Sequence, residues 1–215
     1  MSSRPSTPSV PRGRHAPPLE VRLEVQRTRL LEAAARVFAR AGYADASAEA
    51  ISREAGMSKA TFYEHFANKE ECILALFDAA RDVVLQAMAD AAGAAGSDPQ
   101  ARLRAGVRAF LETLASHPDE AQTVLVEIIG AGPRASERRD QILSGFAEVL
   151  DRENEVAARK GAIARFASPD DAFAVVGAIG ELASRQVRLG QPADVRELEP
   201  VIERLLLGVL SQSGK

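Results

Sequence analysis

Along most of the chain apolar residues return every three or four positions, the period of a helix with one buried face. The clearest run is Leu30, Ala33, Ala34, Val37, Phe38 and Ala41, ended by Gly42 as glycine ends helices. Ser47 opens a short helix with Glu49 in its first turn, where the helix dipole favours an anion, and with Ile51 and Ala55 facing inward. Gly56 breaks it, and Ser58 caps a third helix that reaches only to about Phe66. Asn68 opens a fourth, with Glu71 three residues later in capping-box register. This helix carries Ile73, Leu76, Phe77, Ala80, Val84 and Met88 and stops near Gly93.

The rest repeats the theme in longer pieces. A helix from Asp98-Pro99 carries Leu103, Val107, Phe110, Leu111 and Leu114 and stops at His117-Pro118. A short one runs through Val124, Leu125 and Ile128 to the break at Gly130, Gly132 and Pro133. A long one with Ile142, Leu143, Phe146, Val149 and Leu150 ends near Gly161, and Ser168-Pro169 starts another that reaches Gly190. The last covers roughly residues 194–210, with Pro200 near its start or kinking it. No alternating pattern of useful length marks a strand, so the fold class is all-α with about nine helices. Residues 1–18 are Ser, Pro and Arg with almost nothing to bury, a composition that predicts a disordered basic tail. Its three arginines and His15, with no acid, fit either a DNA-touching arm or a solvated segment.

Composition narrows the classes. The 215 residues are 46% hydrophobic and 27% charged, with 5% aromatics and no Trp, which suits helices around one good core or two modest ones. The single cysteine, Cys72, excludes a disulfide framework within one chain and a Cys-cluster zinc site; among Ile73, Leu76 and Phe77 it reads as a small hydrophobe, with a redox role left open. No apolar run approaches the roughly 20 residues of a membrane span, and the first residues lack the apolar stretch of a secretory signal. A cytoplasmic protein without a membrane partner is the expectation. Three His and one Cys, with no i, i+4 His pair, supply no nucleophile–base or metal constellation, so neither an enzyme nor a cofactor is expected.

Net charge is -3, but residues 1–70 hold 11 Lys+Arg against 8 Asp+Glu while the remainder holds 16 against 22. The positive end is N-terminal, where helix, short helix, glycine turn and short helix form the pattern of a helix-turn-helix. The second short helix is too short to stand alone and must be held through Phe62 and Phe66. Its other face then presents Lys59, Ala60, Thr61, Tyr63 and His65, side chains that are small or carry donors, as a helix entering a major groove requires. Phe62 and Phe66, four apart, already fill the inner face, so Tyr63 lies off it. Lys69, at the start of the next helix, is placed to meet a phosphate. A helical protein-binding adaptor would explain the helices but not this polar face.

Residues 28–72 resemble, without a gap, the DNA-binding domain of the TetR family of bacterial repressors. The likeness rests on Ala33, Ala34 and Phe38, Gly42-Tyr43, Ser47, Ile51, Ala55-Gly56, Ser58-Lys59 with Thr61, Tyr63, His65-Phe66, and Asn68-Lys69-Glu70. Ala50-Ile51-Ser52 and Ala60 depart from the commonest family residues; the second departure bears on which operator is read. The resemblance implies that Ser47, Thr61, Tyr63 and Lys69 hold phosphates, that Lys59, Ala60 and His65 lie near bases or backbone, and that Ser58 belongs to the same surface. It also implies a helix-turn-helix domain over residues 19–67 and a ligand-binding and dimerisation domain over residues 68–215. The partners would be a double-stranded DNA operator, a small-molecule effector and a second copy of the chain.

Phe77, Phe110, Leu114, Val124, Ile128 and Phe146 are the apolar candidates for the ligand site, since ligand pockets are mostly apolar with a few polar groups. Glu127, Arg81 and Arg108 fit either a pocket or a solvated face. The dimer candidates are Phe173, Gly177, Gly180 and Ser184 on one helix and Ile202, Leu205 and Val209 on the next; a core helix shows the same pattern.

Overall fold

The computed structural model describes residues 18–212, without the side chains of Leu207, Val209, Leu210, Ser211 and Gln212. The tail expected over residues 1–17 and the side chain of Val209 therefore lie outside the described residues. Nine α-helices and no strand are found among the described residues: α1 (Leu19–Asp45), α2 (Ala48–Glu54), α3 (Lys59–His65), α4 (Lys69–Ala94), α5 (Pro99–Ser116), α6 (Pro118–Leu125), α7 (Pro133–Arg159), α8 (Pro169–Leu189) and α9 (Glu199–Gln212). Short 3-10 turns, Glu127–Gly130 and Val195–Leu198, precede α7 and α9.

The starts follow the capping residues. Side-chain oxygens of Ser47, Ser58 and Asn68 accept from the backbone N–H of Ala50, Thr61 and Glu71 at 3.1, 3.0 and 2.9 Å. Ser168 and Asp171 close a full capping box on α8, and Gly190 ends that helix in the left-handed region at φ 62°. Gly42 breaks the long run of α1 as expected, at φ 78° and ψ 159°, and a short helical piece, Tyr43 to Asp45, follows across the kink. Two expectations are corrected. Glu71 does not complete a capping box on α4; its carboxylate takes the Arg134 guanidinium at 2.6 Å instead. The helix expected to run through Ile128 stops at Leu125 and tightens into the 3-10 turn.

Packing gives two main clusters, and the division at residue 67/68 does not separate them. The first joins Leu30, Phe38, Ile51, Phe62 and Phe66 of the helix-turn-helix to Phe77 of α4, Ile128 and Ala131 after α6, and Ile142 of α7. The second lies wholly in the C-terminal half, around Leu111, Val175, Ile202 and Leu206. Polar links follow the same seam, with the buried Thr123 hydroxyl donating to Ala35 O at 3.2 Å. A smaller cluster around Phe166 is stapled by buried Asn154, which donates to Ala164 O and accepts from Phe166 N, both at 2.9 Å.

The dimer candidates fall into two groups. Phe173 is exposed, and Gly177 and Leu205 are half-buried. Ile202 is fully buried in the second cluster, Ser184 Oγ donates to Leu125 O at 3.0 Å, and Gly180 faces Leu143. Ile202 and Ser184 pack inside the chain, which corrects their assignment to the dimer interface, while Gly180 is half-buried beside Leu143; a stripe shows that a face is covered, not by what. No helix among the described residues is long and apolar enough to cross a membrane.

A first cluster shared by the helix-turn-helix and the C-terminal half predicts one cooperative unit. Both tyrosines, Tyr43 and Tyr63, lie in the N-terminal half, so their fluorescence reports that half while far-ultraviolet dichroism reports the whole chain. Phe38→Ala, which empties a fully buried site, should cost about 3–5 kcal/mol and shift both unfolding curves together. Transitions that separate would show the halves to be independent.

Candidate nucleic-acid interface

The helix-turn-helix is assembled on α1. Arg36 Nε donates to Glu54 Oε1 at 2.9 Å, Arg40 Nη2 reaches Glu54 Oε2 at 3.4 Å, and Arg29 Nη2 donates to Ala55 O at 3.0 Å, all binding the end of α2 to α1. With α2 fixed, the turn at Gly56 (φ 67°) sends the chain into α3. Phe62 and Phe66 are buried with ring centroids 5.5 Å apart, and the Arg27 guanidinium covers the Phe66 ring at 4.9 Å. Seven residues cannot hold a helix alone, so this burial is what presents the opposite face.

That face carries the exposed Lys59, Ala60 and Tyr63, with Thr61 half-buried beside them. The Tyr63 ring stands edge-on to Phe62 at 5.5 Å, and Lys59 Nζ lies 5.9 Å from the Tyr63 ring centroid. Ser58 and Thr61 hydroxyls share a hydrogen bond of 2.9 Å, and Ser47 is exposed at the start of α2. Lys59, Ala60, Thr61 and Tyr63 share α3 with its cap Ser58, and the hydroxyls, phenol and ammonium there suit phosphate and base edges.

Two expected members sit elsewhere. His65 is half-buried on the flank of α3, its Nε2 3.4 Å from Gln26 Oε1 of α1. Lys69 does not reach outward, which corrects its reading as a phosphate contact. Its ammonium donates to the carbonyls of Tyr43, Ala44 and Ala46 at 2.8, 2.9 and 3.1 Å and lies 4.5 Å from the centroid of the Tyr43 ring. It is a positioning residue: it gathers the carbonyls left by the Gly42 kink and ties them to the start of α4. Sequence spacing shows a lysine at a helix start but not the kink that supplies its acceptors.

Glu127 completes the same junction from the C-terminal half. Its Oε2 accepts from Tyr43 N at 3.0 Å and its Oε1 from Gln122 Nε2 at 3.1 Å. A Cβ on Gly42 would make an ordinary contact of 3.4 Å with Oε2, so it is the backbone at φ 78°, not a lack of room, that calls for glycine here. Arg134 of α7 bridges Glu70 and Glu71 of α4 at 3.1 and 2.6 Å. Burial raises the Tyr43 phenol above its ordinary value, and the nearby Glu70 charge adds to this.

The ligand candidates do not line one cavity. Phe77 and Ile128 are buried in the first cluster with Phe146 packed against it, and Phe110 packs on the second. Arg108 pairs with Glu199 at 2.7 Å, and Arg81 pairs with Asp82 at 2.8 Å. Glu127 is held in the junction rather than in a pocket. Of these candidates only Leu114 and Val124 reach a cleft of about 810 Å³ between α1, α4, α5, α6 and α7. Leu31, Leu74 and Val83 line it, and so do Arg27 and Phe66 at the end of α3. Periodicity identified apolar faces but not which of them close on one another. Cys72 is fully buried and its thiol is pushed up to about 12 by desolvation, the surroundings of an inert hydrophobe.

Comparison with known proteins agrees with this geometry. The family model "Bacterial regulatory proteins, tetR family" matches residues 30–76. The HTH-type transcriptional regulator TcmR of Streptomyces glaucescens is 31% identical over 216 residues, covering 94% of this chain and 89% of TcmR. The HTH-type transcriptional regulator EthR of Mycolicibacterium smegmatis is 30% identical over 93 residues, a stretch that spans only 43% of its length. Among solved structures, the transcriptional regulator FadR of Bacillus subtilis, in complex with stearoyl-CoA, superposes with a TM-score of 0.73 at 20% identity, covering 85% of this chain and 98% of FadR. At that identity the likeness concerns the fold alone.

The α1–α2 clamp has a pH signature. Glu54 is held below its ordinary value of 4.5, first by the Arg36 hydrogen bond. A carboxylate with a depressed folded pKa stabilises above its unfolded pKa and loses that contribution as pH falls through the folded one. Wild-type stability should therefore fall more steeply than that of Glu54→Gln between about pH 6 and pH 3 in urea unfolding. Parallel curves would show that the pair contributes nothing measurable.

Proposed function

The chain belongs to the TetR family of bacterial regulatory proteins, and on that premise we propose that it is a homodimeric repressor, released from a palindromic operator by a small, largely apolar ligand. The observation that carries this reading is α3 itself, whose aromatics are buried while Lys59, Ala60 and Tyr63 are presented on one exposed face. Residues 19–67 are its DNA-reading part and residues 68–215 its sensing and dimerising part; it is a cytoplasmic regulator, not an enzyme. The dimer forms through α8 and α9, where Phe173, Leu189 and Val201 are exposed. Two-fold symmetry then sets half-sites about one helical turn apart.

We place the effector in the cleft between α1, α4, α5, α6 and α7. Leu74, Leu114 and Val124 give it apolar walls, and Phe66 and Arg27 connect those walls to the end of α3. FadR of Bacillus subtilis is in complex with stearoyl-CoA, and a molecule of that kind would lay its apolar part along these walls and its anionic part against Arg27, Arg134 and Arg138 of the same cleft. A ligand acts only through its differential affinity for two states, so it must fit best when α3 has shifted. Glu127, Lys69 and Arg134 make that shift a joint movement of both halves.

A symmetric footprint, with affinity that falls steeply as salt rises, is the expected result on operator DNA. Tyr63→Ala should weaken binding to all sequences alike, whereas Lys59→Ala should relax preference at one base pair by about 1–3 kcal/mol. A single unsymmetrical half-site would refute the dimeric reading. For the effector, a lipophilic hit from a thermal-shift screen that includes acyl thioesters should lower operator affinity by roughly 5- to 150-fold. Tight binding that leaves operator affinity unchanged would refute induction and leave DNA binding standing.

A further inference from the structure

The exposed face of α3 holds one side chain that phosphate recognition does not explain. Glu64 is exposed, one helical turn from Ala60 and Thr61 on one side and close to Ala67 on the other. No Lys or Arg stands three or four residues away, and among the described residues the Glu64 side chain makes neither a hydrogen bond nor an ion pair. Its neighbours on this surface are all engaged: Ser58 with Thr61, Lys59 with the Tyr63 ring, His65 with Gln26. The carboxylate thus stands in the open beside Ala60, whose single methyl leaves room for close approach.

A lone carboxylate is an unfavourable group to bring against a polyanion, because it adds repulsion wherever the helix docks. It becomes favourable in one chemical setting, where a base edge offers an amino group. Cytosine N4 and adenine N6 both offer one in the major groove, but the N7 acceptor beside adenine N6 repels a carboxylate, so Glu and Asp accept from cytosine N4. We propose that Glu64 is a specificity-determining residue, accepting a hydrogen bond from the exocyclic amine of a cytosine in each half-site and penalising other bases and non-specific duplex. This deepens the DNA-binding reading and rests on it. Tyr63 supplies attraction that every sequence satisfies, Lys59 reads a base pair of its own, and Glu64 supplies a cost that a cytosine relieves.

The test is selection of binding sites from random duplexes by full-length wild type, Glu64→Ala and Glu64→Gln. Wild type should select cytosine at one position of each half-site. Glu64→Ala should lose roughly tenfold discrimination there, keep its preference elsewhere, and bind non-specific duplex more tightly than wild type. Glu64→Gln should turn the preference towards adenine, since an amide pairs with adenine N6 and N7. A merely structural residue would not produce that switch, and thermal melting should match wild type because the side chain has no partner to lose. If wild type selects a site and Glu64→Ala selects the same one with equal stringency, the proposal is overturned while the DNA-binding reading stands. If wild type selects no duplex at all, both fall.

Discussion

A seven-residue helix has no stability of its own in water, and everything on the exposed surface of α3 depends on how its other side is buried. Phe62 and Phe66 insert into a core built from Leu30, Phe38 and Ile51, and that core continues into Ile128 and Ile142 beyond the helix-turn-helix. Helix geometry then leaves Lys59, Ala60, Tyr63 and Glu64 to face outward. The surface we propose for a duplex is thus a by-product of aromatic packing. It is only as rigid as the contacts beneath it.

The same dependence explains the polar junction at Gly42. A kink in α1 leaves carbonyls and an N–H without helical partners, and buried or half-buried backbone groups must find others. Lys69 from α4 takes the carbonyls and Glu127 from the C-terminal half takes the N–H of Tyr43. Each of these charges has a positional role, which is why neither serves as the outward-facing contact or pocket acid that spacing alone suggests. Any movement that pulls the turn at Glu127–Gly130 away from α1 must break a charge-assisted bond at the base of the DNA-reading unit.

Local patterns were legible because they have local causes. Caps at Ser47, Ser58, Asn68 and Ser168, the glycine turn before α3 and the stripe from Leu30 to Phe38 follow from rules that act within one or two turns. What stayed hidden was non-local. Nothing near Glu127 in sequence reveals Tyr43, 84 residues away, as its partner. Ile202 and Ser184 read as a candidate outer face until other helices of the same chain are seen to cover them. Phe77, Ile128 and Phe146 likewise looked like pocket walls because a stripe is the same whether a neighbour or a void lies against it.

The continuity of the first cluster sets how such a protein can be rebuilt. Exchanging residues 19–67 for the equivalent part of another regulator would cut through packed hydrophobic surface, since Phe38 and Phe62 share a core with Ile128 and Ala131. The chimera would have to match shapes across that cut, and cores tolerate poorly fitted substitutions badly. A transplant confined to positions 59, 60, 63 and 64 avoids the cut altogether, because all four are exposed. In this architecture the portable unit of recognition is a patch of side chains, and the domain beneath it is not interchangeable.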